Sequence, residues 1–128
     1  MFLDDNYKDI CIQIQMYTEI IDTQEIELYS LNKIIEKEKR TVENIYSYNR
    51  TILRIRELKD NIKALKYVLI ELSKSKHRIK RQVASFEGIY YQVALLRDIK
   101  GIKLQEIATI LNKSLGYIQN ISSKINQM

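Results

Sequence analysis

The sequence predicts an all-α chain, with a long N-terminal helical hairpin or coiled coil followed by a unit of three short helices at the C-terminus. Three observations point there. The 128 residues include no Pro and three Gly, at positions 88, 101 and 116, so the first 87 residues lack both of the strongest breakers of regular structure. Through that region apolar residues recur at alternating steps of three and four, the spacing of helices that pack side by side. Beyond Phe86 the same spacing continues in three shorter stretches, separated by Gly101 and by the pair Asn112 and Lys113.

The first seam runs from Ile10 through Ile14, Tyr17, Ile21, Leu28, Leu31 and Ile35, interrupted at Gln24. Glu19, Glu25, Glu27, Lys33, Glu36 and Lys37 flank it as a solvated face would require. A helix from about Asp4 to Arg40 is roughly 55 Å long at 1.5 Å per residue, too long to bury its seam within itself. A second seam, Ile45, Tyr48, Ile52, Ile55, Leu58, Ile62, Leu65, Leu69 and Leu72, can supply the partner. An antiparallel hairpin is the economical arrangement, and a nearly continuous rod or a seam buried between two chains satisfies the same pattern. The turn is expected between Arg40 and Asn49, with Thr41 as an N-cap and Asn44, Ser47 and Asn49 weakening the helix.

Composition narrows the chemistry. Cys11 is the only cysteine and His77 the only histidine, so neither a disulfide nor a thiolate metal cluster is expected, and His77 has no Asp or Cys pattern around it. No Gly-rich phosphate loop is present, and the carboxylates crowd the flanks of the seams. The chain reads as a non-enzyme with no cofactor, no metal and no small-molecule substrate. The stretch from Met1 to Asp9 holds three Asp and leads into no apolar run, so no signal peptide is read there. No stretch has the length of a membrane span, and the expected location is the cytoplasm, without a membrane partner.

Charge is unevenly placed. The net value is +5, but residues 1–64 hold 10 Lys and Arg against 12 Asp and Glu, and residues 65–128 hold 11 against 4. A basic half joined to an assembly half suits a nucleic-acid partner, although a basic surface also suits an acidic protein or a membrane. Within it, KSKHRIKR (Lys74 to Arg81) packs five formal charges into eight residues. The run is either a solvated helix end favoured by the helix dipole or a phosphate-contacting stripe made by Lys74, Lys76, Arg78, Lys80 and Arg81.

The last third holds the candidate site. Phe86, Ile89, Tyr90, Val93, Leu96 and Ile99 define an amphipathic helix of about 14 residues that stops at Gly101. A helix from Lys103 to Leu111 follows, then Asn112 and Lys113, then a helix from Ser114 to about Gln127. With Ala108 as the small residue at the closest approach of these two helices, Leu104, Ile107, Leu111, Ile118 and Ile121 all fall on the shared core. Asn112 falls where the turn needs φ > 0, which Asn tolerates better than most residues, and Ser114 falls at the cap of the last helix. Core, turn and cap together describe a helix-turn-helix. Its last helix leaves Leu115, Gly116, Tyr117, Gln119, Asn120, Ser122, Ser123 and Lys124 facing outward. Asn and Gln can pair with adenine, Ser with several base edges, and Tyr with a thymine methyl or a phosphate. The expected base-reading set is Ser114, Leu115, Gly116, Tyr117, Gln119, Asn120 and Ser123, and Lys103, Lys113 and Lys124 join the upstream stripe on phosphates. Gly116 either lets the backbone approach DNA closely or is a helix defect costing roughly 1 kcal/mol relative to Ala.

The run LRDIKGIKLQEIATILNKSLGYIQNISSKI, Leu96 to Ile125, resembles the helix-turn-helix of region 4 of bacterial sigma factors. It resembles more closely the sigma-like regulators of phages and mobile elements in Gram-positive bacteria. Leu96 and Arg97 ahead of Gly101, the QEIA core from Gln105 to Ala108, Leu111, Ser114, and the series Tyr117, Ile118 and Ile121 carry the likeness. Lys103 departs from it, standing where Ser or Thr usually caps the second helix, and so does Lys113, where an apolar residue is common. The resemblance implies a recognition helix, Ser114 to Gln127, in the major groove of double-stranded DNA, in a bacterial or phage-encoded transcriptional regulator. The seams and the motif together divide the chain into an arm, residues 1–82, expected to form a homodimer or dock on a protein, and a DNA-binding head, residues 83–128. The alternative is a coiled-coil adaptor or inhibitor that binds a host or phage protein without a primary DNA role.

Overall fold

Asn6 opens the first helix, accepting the Asp9 backbone N–H on its side-chain oxygen at 2.8 Å and the Ile10 N–H on its carbonyl. Helix α1 (Tyr7–Lys37) follows from that cap. The computed structural model describes residues 6–38 and 41–128, and the limits expected for this helix, Asp4 and Arg40, lie outside them. Thr41 donates its backbone N–H to the Asn44 side chain at 2.8 Å, the return arm of a capping box, and α2 (Ile45–Ala84) begins directly after Asn44. Ser47 and Asn49 lie inside α2, exposed, where their weak helix propensity is overridden. Then come α3 (Gly88–Ala94), which widens into a π-helical turn at Leu95–Ile99, α4 (Leu104–Leu111) and α5 (Leu115–Gln127). Every regular element among the described residues is helical.

The chain forms two compact units. In residues 14–71, α1 and α2 make a helical hairpin around Ile21, Ile55, Leu58 and Ile62, which are buried, with Ile14, Tyr17, Leu28, Leu31, Leu65 and Leu69 half-buried beside them. Arg54 grips Glu27 through two hydrogen bonds, Nε to Oε2 at 2.8 Å and Nη2 to Oε1 at 3.0 Å, and Lys66 meets Glu25 at 3.0 Å. Numbers fall along α1 as they rise along α2, so the helices are antiparallel. The hydrogen bonds from Arg54, more than its charge, hold the Glu27 carboxyl below the ordinary glutamate range. Gln24 interrupts the seam, half-buried, and its Oε1 is buried without a hydrogen-bond partner among the described residues.

The second unit joins the start of α1, through Gln13, to residues 72–128. Its core is Val83 of α2, Val93 and Ala94 of α3, Ile107 and Ala108 of α4, and Ile118, Ile121 and Ile125 of α5, all buried. Ile79, Phe86, Ile89, Leu96, Leu104 and Leu111 are half-buried against it. The helix that carries the second seam is therefore longer than the seam read from the sequence. It continues without a break past Leu72, takes the whole of Lys74 to Arg81 into its last turns, and packs Ile79 and Val83 into the core of the C-terminal helices. No breaker interrupts it until Gly88, whose φ of +58° is the left-handed conformation that glycine adopts without strain.

Candidate nucleic-acid interface

The geometry between α4 and α5 is set by four residues. Asn112 has φ 55° and ψ 48°, the left-handed turn conformation. Its N–H donates to the Thr109 carbonyl at 3.2 Å, and the Lys113 N–H donates to the Ala108 carbonyl at 2.9 Å. That pairing is a Schellman motif, which satisfies the orphan carbonyls at the end of α4. Ser114 follows with extended backbone, and its hydroxyl accepts the Tyr117 N–H at 3.2 Å to cap α5. At the other end of α4, Lys103 takes the capping position with no side-chain hydrogen bond, because lysine has no acceptor to offer. The core places Ile107, Ala108, Ile118 and Ile121 in the interior, with Leu104 and Leu111 half-buried at its margin.

On the outward side of α5, Gly116, Tyr117, Gln119, Asn120 and Ser123 are exposed, Ser114 is exposed at the cap, and Leu115 is half-buried. An alanine methyl at Gly116 would meet nothing within 4 Å. The Lys113 ammonium lies 5.8 Å from the Tyr117 ring centroid, within cation–π reach at the helix start. Ser122 does not belong to this face. It is buried on the core side of the helix, four residues after Ile118, and its hydroxyl accepts a hydrogen bond from Arg97.

Arg97, at the π turn, donates from one nitrogen to the Ser122 hydroxyl at 2.6 Å, the Ser122 carbonyl at 3.2 Å and Asn126 Oδ1 at 3.0 Å. Its remaining donors close a two-point contact with Asp98 at 2.7 and 3.0 Å. The guanidinium thus ties the helix before Gly101 to the second half of α5. These bonds span 25 and 29 residues and leave no periodic trace in the sequence.

The cationic residues fall in two groups. Lys103, Lys113 and Lys124 are exposed at the start of α4, in the turn after it and on α5. In the last turns of α2, Lys74, Arg78, Lys80 and Arg81 are exposed and Lys76 is half-buried. Lys76 and Lys80 both stand 5.9 Å from the Tyr7 ring centroid, and Arg78 reaches the buried Ser75 hydroxyl at 3.3 Å. Ile79 packs inward from the same stretch, so the stripe is fixed to the core. Residues 72–128 hold 10 Lys and Arg against 3 Asp and Glu, whereas residues 14–71 hold 10 of each. Cys11 is half-buried, and no described helix is long and apolar enough to cross a membrane. No family model, no curated protein and no solved structure matches the chain.

Proposed function

We propose that the chain is a sequence-specific DNA-binding regulator, with α5 as the recognition helix in the major groove and the hairpin as the element that assembles it. The observation that carries this reading is the joint between α4 and α5. A left-handed Asn112, a capping Ser114 and a small buried Ala108 hold two helices at a tight turn, while Tyr117, Gln119, Asn120 and Ser123 project to solvent from a basic unit. The resemblance of Leu96 to Ile125 to sigma region 4 supports the same reading. Lys103, Lys113 and Lys124, with the α2 stripe, contact phosphates and orient the helix, and Gln119 and Asn120 discriminate bases.

Selection of bound sequences from random duplexes at physiological salt tests this. A recurrent short sequence is expected, with an affinity that falls steeply as salt rises. The paired variant Gln119→Ala with Asn120→Ala should keep its helicity and its nonspecific binding but lose about 1–3 kcal/mol of discrimination. Absence of any preferred sequence together with a flat salt response removes the reading and leaves the hairpin as the functional element, as in a protein-binding adaptor.

A further inference from the structure

The hairpin of residues 14–71 has a face divided between two charges. On α1, Asp22, Glu25, Ile26 and Tyr29 line a shallow groove. On α2, Lys59, Lys63, Lys66, Tyr67 and Ile70 line another, with Leu28 and Ile62 at its floor. The two grooves meet at the ion pair of Glu25 with Lys66, so they form one continuous surface, acidic along α1 and basic along α2. Four large apolar side chains stand out from it: Ile26 is 68% exposed, Tyr29 64%, Tyr67 65% and Ile70 54%. A seam between two helices buries one stripe on each, and these residues lie off that stripe.

We infer that this face pairs with the same face of a second copy of the chain, giving a four-helix dimer in which α1 of each copy lies over α2 of the other. Charge decides the geometry. A two-fold axis running along the hairpin lays the α1 groove of one copy, with Asp22 and Glu25, over the α2 groove of its partner, with Lys63 and Lys66, twice over, as an isologous interface requires. A two-fold axis across the hairpin would lay acid on acid and base on base, and like charges opposed in this way suppress that alternative. The area is sufficient. Residues 14–37 of α1 give a face about 36 Å long, and two helices side by side make it about 20 Å wide, roughly 700 Å², close to the ~800 Å² per partner of a standard stable interface. The hairpin's ten basic and ten acidic residues leave it without net charge, which removes a general repulsion between copies. Tyrosines among the exposed anchors match the composition of interface centres.

This deepens the assembly role proposed for the hairpin, and it holds whether or not α5 reads DNA. Sedimentation equilibrium of the full chain from about 1 to 100 μM should give twice the monomer mass. Two variants reverse the charge on exposed positions: Asp22→Lys in one chain, and Lys59→Glu with Lys63→Glu in another. Each alone should weaken self-association by about tenfold or more, with helicity by circular dichroism unchanged. Mixed in equal amounts, the two variants should associate as strongly as the wild type, because acid again meets base on both sides of the axis. If either variant loses helicity, Asp22→Asn and Lys59→Gln with Lys63→Gln take its place, with weaker dimers expected. A wild-type chain that stays monomeric throughout the range assigns the face to a different protein and overturns the proposal, as do variants that dimerise unchanged or a mixture that stays monomeric. Failure of DNA reading is distinguishable, since it appears as a wild-type dimer that selects no sequence.

Discussion

Asn112 and Gly116 lie four residues apart, and the first answers a backbone requirement while the second answers none among the described residues. At φ 55°, Asn112 occupies a conformation that costs most residues roughly 1 kcal/mol or more, and it is the only non-glycine described with positive φ. Gly116 sits in regular helix, where glycine is costly, beside open space. Nothing inside the protein requires the missing side chain, so the requirement is external or absent. A Gly116→Ala chain should gain about 0.5–1 kcal/mol of stability in thermal melts; under the role proposed for α5 it should also bind duplex DNA less tightly in gel shifts at matched salt, because a methyl would then stand between backbone and groove. A stability gain with unchanged affinity identifies Gly116 as a helix defect without a role.

Among the elements, α3 and α5 are joined by more than apolar packing. Arg97 satisfies the hydroxyl of Ser122, which is buried, and also the carbonyl of that residue near the end of α5. Arg97→Ala should cost about 1–3 kcal/mol in urea unfolding, the penalty of leaving a buried polar group unpaired. Arg97→Lys should not restore it, because an ammonium cannot reproduce the fork that holds Ser122, Asn126 and Asp98 together. The joint between α4 and α5 was legible in the sequence because each of its requirements is local: a small residue, a left-handed residue, a cap and five apolar positions within one short stretch. Arg97 and Ser122 were not legible, because a hydroxyl on the margin of a helix looks solvent-facing until a distant donor is placed beside it. Ile125, one helical step beyond Ile121, carries the same periodic signal as its neighbours and is buried with them. The length of α2 was legible only as an absence of breakers. The apolar steps beyond Leu72 pass through Ser75, which hides the continuation to Ile79 and Val83.

For the whole molecule, the unit that holds α4 and α5 is larger than its three short helices. It takes in the last turns of α2 and the first turns of α1, where Ile10 and Leu72 are buried. A boundary between residues 82 and 83 falls within α2 and separates Ile79 from the core against which it packs. A fragment of residues 72–128 should therefore be more stable in thermal melts than one of residues 83–128, by about 1 kcal/mol for the packing of the half-buried Ile79 alone. Equal stability of the two fragments would show that the three short helices suffice.

The unequal sharing of charge gives this architecture a thermodynamic property. Residues 14–71 are neutral in sum, and residues 72–128 carry a net of +7. If copies associate through their hairpins, as inferred above, the assembly gathers two basic units, and their mutual repulsion grows as salt is lowered and the screening length rises above its value of about 10 Å at 0.1 M. A bound polyanion cancels that repulsion. Under the two proposals made above, association of the hairpins and capture of DNA would be coupled without sharing a single side chain, and by reciprocity whatever factor the polyanion added to the stability of the dimer, the dimer would add to the affinity for the polyanion.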